Sequence, residues 1–176
     1  MADEGTTRRG FLKTATVAIG GAIGALAAVP ILRTFFHPVG TRVVTSPEEP
    51  VDVLAESDLV PGAAPRRVEI RASRLRDGWS SQEDVPLGAA WLRKSDDGEV
   101  QAFSTACPHL GCAVGFSAEE DQFVCPCHRS GFALDGERLY GPTKRGLDPL
   151  PVEVEEGRVK VTYVRYQLDT SERRRA

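Results

Sequence analysis

The sequence predicts an all-β domain, an antiparallel sandwich or barrel, preceded by one N-terminal transmembrane helix. Residues 67–72 and 159–164 alternate apolar and polar side chains, which is the period of a half-buried strand. Turn signals that contain Asp and Gly, such as residues 95–98, separate the strand-like segments. Apart from one apolar run, residues 14–32, no stretch of useful length has a helical period.

The N-terminal segment, residues 1–13, contains the run Thr-Arg-Arg-Gly-Phe-Leu-Lys at residues 7–13. This run resembles the twin-arginine export signal, whose pathway carries folded proteins that already hold a cofactor. Arg8, Arg9 and Lys13 precede the apolar run, so the positive-inside rule places the N-terminus in the cytoplasm. We therefore expect a single-pass plasma-membrane protein with its head on the outer, periplasmic face.

Residues 14–36 are predicted to remain in the mature protein as a transmembrane anchor. At 1.5 Å per residue, the uncharged part is just long enough to cross a hydrocarbon core of about 30 Å. The Ala-Leu-Ala sequence at residues 25–27 would also suit a cleaved signal peptide. The apolar run is longer than the roughly 7–15 residues of a signal peptide's apolar region, which favours retention.

Three further segments follow the anchor. Residues 37–65 are rich in Pro, Glu and small side chains and indicate a tether, with Gly40 and Gly62 as candidate hinges. Residues 66–170 are predicted to form the head domain. Residues 171–176 carry three arginines and no large apolar side chain, which indicates a disordered tail.

The strands of the head are expected, in chain order, at residues 67–72, 89–94, 100–104, 122–124, 132–134, 152–154 and 159–164. Turns are expected between them at residues 95–98, 135–136 and 156–157. The net charge of −3 and the pI of about 5.7 provide no basic surface for nucleic acid.

All four cysteines and two of the three histidines lie in two short segments. Box one, residues 107–112, reads Cys-Pro-His-Leu-Gly-Cys, and box two, residues 125–130, reads Cys-Pro-Cys-His-Arg-Ser. Two thiolates and two imidazoles can hold a [2Fe–2S] cluster, with the histidines on one iron. They can also hold structural zinc, although a zinc site usually places both cysteines in one half and both histidines in the other. Two disulfides would leave both histidines unexplained.

The boxes resemble the C-x-H-x-G-C and C-x-C-H-x-S motifs of the Rieske iron–sulfur proteins. The resemblance is specific over about residues 103–142 and looser over about residues 64–168. It implies an all-β Rieske fold with two cluster-binding loops at one end, one [2Fe–2S] cluster, and a disulfide between the loops. The implied metal ligands are Cys107, His109, Cys125 and His128, and the implied disulfide joins Cys112 and Cys127.

The resemblance also implies roles for residues around the cluster. His109 and His128 would reach the surface, and His128 would receive the hydrogen bond from bound quinol. Leu110 would form part of an apolar skin around them. Pro142 would begin a loop that covers the cluster, and Ser130 would donate its hydroxyl hydrogen bond to a cluster sulfur.

Phe132 stands where high-potential members of the family carry a tyrosine that bonds a cysteine sulfur. Phenylalanine lacks that hydroxyl donor, so we expect a low-to-intermediate reduction potential. Such a potential suits menaquinol better than ubiquinol.

The resemblance is strongest to the Rieske subunit of bacterial cytochrome bc-type quinol–cytochrome c reductases. It implies an electron carrier that works with cytochrome b and a c-type cytochrome, within a dimeric complex. The alternative is the small Rieske subunit of an arsenite-oxidase-type molybdenum enzyme, which oxidises no quinol. A retained anchor and a tether favour the first interpretation.

Overall fold

A computed structural model of the chain describes residues 7–37, 39, 49–76 and 79–176. The chain divides into two compact units. The first comprises Met1–Val43 with Arg76–Ser80, and the second comprises Val44–Leu75 with Ser81–Ala176. Of the two predicted hinges, Gly40 lies outside the described residues.

The first unit is built on helix α1, Arg8–Phe36. Thr7 caps it, because its Oγ1 accepts a hydrogen bond from the backbone N–H of Gly10 at 3.3 Å. With 29 residues the helix is about 44 Å long, enough to cross a bilayer, and none of its residues is buried. The helix ends where the predicted anchor ends but begins six residues earlier, so it includes Arg8 and Arg9.

The described strands of the second unit form three sheets. The strands are β1 (Val51–Ala55), β2 (Arg66–Arg76), β3 (Ser81–Lys94), β4 (Val100–Ser104), β5 (Gly115–Ser117), β6 (Gln122–Cys125), β7 (Ser130–Phe132), β8 (Arg138–Tyr140), β9 (Val152–Glu155) and β10 (Arg158–Val161). The sheet orders are β1-β10-β9, β2-β3-β4 and β5-β6-β7-β8. The all-β prediction with one N-terminal membrane-length helix is therefore confirmed.

The alternation of buried and exposed side chains along the strands explains how the sheets β1-β10-β9 and β2-β3-β4 share a core. On β10, Val159 and Val161 are fully buried while Lys160 between them is partly exposed. They belong to one apolar cluster with Ile70 of β2 and Leu92 of β3. This cluster is the main body of the head, and it does not include the boxes.

A second apolar cluster lies under the boxes and includes the cysteines of the predicted ligand set. Phe123 of β6 pairs with Phe132 of β7, and both side chains are fully buried. Phe103, Cys107 and Cys125 belong to the same cluster. The buried aromatic side chains therefore pack in the same cluster as the two box cysteines.

The structure corrects the predicted tether. Val51–Ala55 pairs with β10 as strand β1, and Leu54 and Leu59 are buried in the main core. The pairing is irregular between Asp52 and Leu54, which breaks the alternation by which a strand is recognised. The first part of the predicted tether, residues 37–48, lies mostly outside the described residues.

The structure also corrects the predicted disordered tail. The backbone N–H of Ala176 donates to the carbonyl of Arg165 at 2.9 Å, and that of Gln167 donates to Arg174 at 2.8 Å. Tyr166 and Arg175 form a β-bridge. Residues 165–176 therefore fold back on themselves as a hairpin-like segment, called the C-terminal strap below. Backbone pairing needs no apolar side chain, so composition could not reveal it.

Candidate metal centre

Box one is a closed loop between β4 and β5. A β-bridge joins Ala106 to Ala113, just outside the box. Inside it, the backbone N–H of Cys107 donates to the carbonyl of Cys112, and that of Gly111 donates to Cys107, both at 2.8 Å. Gly111 has a φ of +78°, a conformation that glycine adopts without steric cost. The Cys107 side chain is thereby turned into the protein from a tight, hydrogen-bonded loop.

Box two is the loop of the β6–β7 hairpin. Cys125 and Ser130, its first and last residues, are paired across the two strands. Arg129 has a φ of +53°, a left-handed conformation that is uncommon for a side chain other than glycine, asparagine or aspartate. The chain therefore reverses within residues 126–129, which brings His128 to the exposed end of the loop.

A disulfide between Cys112 and Cys127 joins the two boxes, with 6.5 Å between the Cα atoms. The bond links the last residue of box one to the middle of box two. It limits how far the two loops can separate, and so it holds the remaining Cys and His side chains of both boxes on one side of the head.

The other two cysteines are free and buried. Cys107 is 1% exposed and Cys125 is 2% exposed. The two thiols are neighbours, and that of Cys125 affects the protonation of Cys107. Burial, together with this neighbouring thiol, raises the pKa of Cys107 to about 11. The thiol is therefore protonated at neutral pH, and metal binding must release its proton.

A different group of sulfurs is also close together. Those of Cys112, Cys125 and Cys127 lie within 4.8 Å of one another. Cys112 and Cys127 are bonded to each other, so neither offers a thiolate to a metal. Cys125 is the member of this group that can bind, and its free partner is Cys107.

The two box histidines lie side by side. The ring centroids of His109 and His128 are 4.8 Å apart, and the ring planes meet at 83°. His128 is exposed and His109 is partly exposed, in contrast to the buried thiols. The site therefore has two buried sulfur donors and two accessible nitrogen donors, which matches the division of a Cys₂His₂ [2Fe–2S] ligand set.

The surroundings of Ser130 provide an independent test of whether the site suits a [2Fe–2S] cluster. Its side chain is fully buried, and its Oγ has no hydrogen-bond partner among the residues that the structure describes. Gly141 lies directly against it, because a Cβ on Gly141 would stand 2.6 Å from that Oγ. A buried hydroxyl without a partner costs free energy, so the site suits a bound group that offers an acceptor such as a cluster sulfur.

We expect Ser130→Ala to have opposite effects on the loaded and empty protein. With the cluster, loss of the donor should lower the reduction potential. Without the cluster, the change removes an unpaired buried hydroxyl and should stabilise the fold by about 1–3 kcal/mol. Redox titration and urea unfolding measure the two effects.

Ser104→Ala is the matched control for Ser130→Ala. Ser104 is also buried, but its Oγ accepts a hydrogen bond from the N–H of Ala106 at 3.2 Å. We expect this control to destabilise the empty protein. A Ser130→Ala protein with an unchanged potential would contradict the assigned donor.

The remaining predicted residues lie around the boxes. Leu110 is 56% exposed on box one, and Pro142 is exposed beside Gly141. Their predicted contacts with quinol and cluster stay predictions. Sequence reasoning missed the ion pair between Arg145 and Asp148, whose side chains are both only 4% exposed. Its pattern, two opposite charges three residues apart in a loop, is the pattern of an ordinary solvated pair.

The chain also matches a known protein family over more than half of its length. The model of the Rieske [2Fe–2S] domain matches residues 49–154. The chain belongs to the Rieske family. Like other members of that family it has one [2Fe–2S] cluster as its cofactor, and the zinc interpretation is set aside. The buried thiols, the adjacent imidazoles and the unpartnered Ser130 hydroxyl all fit that group.

Curated relatives of this Rieske protein cover most of its length. It is 30% identical to the menaquinol:cytochrome c reductase iron-sulfur subunit of Geobacillus thermodenitrificans, over 87% of this chain and 89% of the relative. It is also 30% identical to the subunit of the same name from Bacillus subtilis (strain 168), over 86% and 88%. The cytochrome b6-f complex iron-sulfur subunit of Chlorobaculum tepidum is 28% identical, over 88% of this chain and 75% of the relative.

Proposed function

We propose that this chain is the electron-transfer [2Fe–2S] subunit of a membrane quinol–cytochrome c oxidoreductase of the bc type. The observation that carries the proposal is the pair of accessible imidazoles, His109 and His128, beside two buried free thiols. The names of the relatives that match most of the chain support the same role. In this proposal the chain alone is an electron carrier, and the complex is the enzyme.

The four proposed ligands have two kinds of task. Cys107 and Cys125 would hold the metal through their buried thiols, where burial protects the sulfurs from water. When bound, the cluster would supply a one-electron couple at roughly −150 to +300 mV. The exposed His128 would accept the hydrogen bond from the quinol hydroxyl and take up the proton on a ring nitrogen. His109 would be the second imidazole ligand.

The N-terminal helix gives the proposed membrane arrangement. Arg8 and Arg9 begin α1 and Lys13 follows one turn later, so three of the four cationic residues of the helix lie at its N-terminal end. We place that end in the cytoplasm and the head on the outer face, after export by the twin-arginine route. The head would there reach cytochrome b, a c-type cytochrome and membrane quinol, within a dimeric complex.

We propose menaquinol as the electron donor. Phe132 is fully buried against Phe123 and has no hydroxyl to donate to a cysteine sulfur. One donor fewer lowers the reduction potential, which matches the more reducing quinol. The names of two relatives support this choice.

Replacing Phe132 tests the quinone assignment. We expect Phe132→Tyr to raise the reduction potential, because it introduces a hydroxyl beside the ligand loops. Phe123→Tyr is the matched control, since Phe123 is equally buried in the same cluster and is not expected to raise it. Redox titration of both proteins decides the matter, and an unchanged potential in Phe132→Tyr would disprove the explanation.

Purification of the tagged full-length chain from its native membranes in mild detergent tests the proposed function. We expect cytochrome b to copurify and to show haem b bands in the reduced-minus-oxidised spectrum. Molybdenum without haem b would instead assign the chain to an oxidase of the arsenite-oxidase type. In that case His128 would have no role as a quinol contact.

A further inference from the structure

The C-terminal strap contacts box one between two predicted ligands. The backbone N–H of Asp169 donates to the carbonyl of Pro108 at 2.9 Å. Pro108 is fully buried and lies between Cys107 and His109 in the chain. A contact at this carbonyl limits the rotation of the peptide that precedes His109.

The same part of the strap covers the end of box one. A Cβ on Gly111 would stand 3.2 Å from Cδ1 of Leu168, so the leucine packs over this glycine. Leu168 and Asp169 thus contact box one through an apolar side chain and a backbone hydrogen bond, at two separate points. Asp169 has a φ of +54°, a left-handed conformation that aspartate adopts more often than most residues do, and surrounding contacts hold it there.

Those surrounding contacts come from residues 144 and 145. The Lys144 ammonium donates to the carbonyl of Asp169 at 2.9 Å and to its carboxylate at 3.0 Å. The Arg145 guanidinium donates to the carbonyl of Thr170 at 2.6 Å and to that of Gln167 at 2.8 Å. The strap residues on both sides of Asp169 are therefore bonded to one buried cation.

The Arg145 side chain is itself held in a fixed orientation. Arg145 binds both carboxylate oxygens of Asp148, at 2.7 and 2.8 Å, and both side chains are 4% exposed. Arg173, farther along the strap, lies 3.6 Å from the same carboxylate. A bidentate buried pair fixes its own orientation, so the guanidinium can hold the strap in place.

We propose that the C-terminal strap positions box one. Arg145 holds the strap in place, and the backbone N–H of Asp169 orients the peptide before His109. The inference rests on the proposed ligand set, and it assigns the strap a task beyond the folding of the head. Arg145 and Asp169 are positioning residues, since neither is a proposed ligand.

A chain that ends at Leu168 tests this proposal. It loses the donor to Pro108 but keeps the Arg145–Asp148 pair and the contact of Arg145 with Gln167. We expect the purified full complex or detergent-solubilised chain to lose its cluster to a chelator about tenfold faster or more, the usual scale for loss of support behind a metal ligand. The electron paramagnetic resonance spectrum of the reduced protein should also change, which a merely structural role would not require.

Asp169→Gly is the matched control. It keeps the backbone N–H and suits the left-handed φ, and it removes the carboxylate that binds Lys144. We expect its cluster loss rate and spectrum to stay close to those of the wild type.

Three outcomes would overturn the inference. The first is a truncated chain with the cluster loss rate and spectrum of the wild type. The second is a truncated cluster-free chain whose thermal unfolding midpoint collapses, because the strap would then serve the fold alone. The third is a wild-type chain without iron and acid-labile sulfide, which would overturn the proposed function as well and is thus distinguishable from the other two.

Discussion

Cys125→Ser should leave the full-length protein without its [2Fe–2S] cluster. The Cys125 thiol is 2% exposed and lies beside the free thiol of Cys107. A serine at this position offers a hydroxyl, which is a far weaker ligand for iron than a thiolate. Cys107→Ser should have the same effect. Iron and acid-labile sulfide per chain, with the resonance spectrum of the reduced protein, measure the loss.

The double variant Cys112→Ser/Cys127→Ser is the matched control for the ligand variants. It removes the same number of sulfurs from the boxes as the two ligand replacements together, yet it keeps both proposed thiolates. The disulfide closes a loop with a sequence separation of 15, and such a loop contributes about 3 kcal/mol in the chain-entropy model. We therefore expect this protein to assemble the cluster and to lose it faster on warming.

The reverse pattern would contradict the ligand assignment. Cys125 lies close to both disulfide sulfurs, so an alternative site built on Cys112, Cys125 and Cys127 is geometrically conceivable. If the double variant had no iron while Cys107→Ser kept it, that alternative site would be the correct one.

Asp148→Ala should strongly destabilise the head. Removal of the carboxylate leaves the Arg145 guanidinium buried without a counter-charge, because both side chains are only 4% exposed. Breaking one partner of a buried ion pair costs about 3–5 kcal/mol. That is a large part of the total stability of a domain of this size, typically about 5–15 kcal/mol. Urea unfolding of the full chain in detergent, followed by near-ultraviolet circular dichroism, measures the change.

Two controls separate this effect from a general loss of contacts. The double variant Arg145→Met/Asp148→Leu removes both charges, so it should recover part of the lost stability. Asp52→Asn breaks an exposed pair with Arg158 and should have a much smaller effect. Equal losses in Asp148→Ala and Asp52→Asn would show that burial does not decide the strength of the pair at Arg145.

The predicted strands were recovered where they place side chains in a core. The predicted strand at residues 100–104 coincides with β4, and that at residues 159–164 overlaps β10. Strand β10 buries alternate side chains, which leaves a period-2 pattern in the sequence, whereas every residue of β4 except Gln101 is buried. Strand β8 has no such pattern, because Arg138, Leu139 and Tyr140 are all exposed. Strand β5 has only three residues, too few to show any period.

A ligand set can be predicted from the sequence because its chemistry is local. Each box carries its Cys and His within a few residues, and this spacing together with the family resemblance indicates the proposed ligands without any knowledge of the fold. The strap was not predictable. Asp169 is 61 positions after Pro108 in the numbering, and a bond between two backbone groups leaves no trace in side-chain composition.

The amino-acid sequence is enough to predict the kind of protein: a membrane-length helix, an all-β head and two Cys–His boxes that can hold one Rieske cluster. Tertiary contacts were needed to establish that residues 51–55 pair with β10, that Arg145 and Asp148 are buried together, and that the C-terminal strap contacts box one. The difference follows from the range of the interactions. Ligand chemistry and strand alternation act within a few residues, whereas burial of a charge or pairing of an edge depends on which distant segments meet.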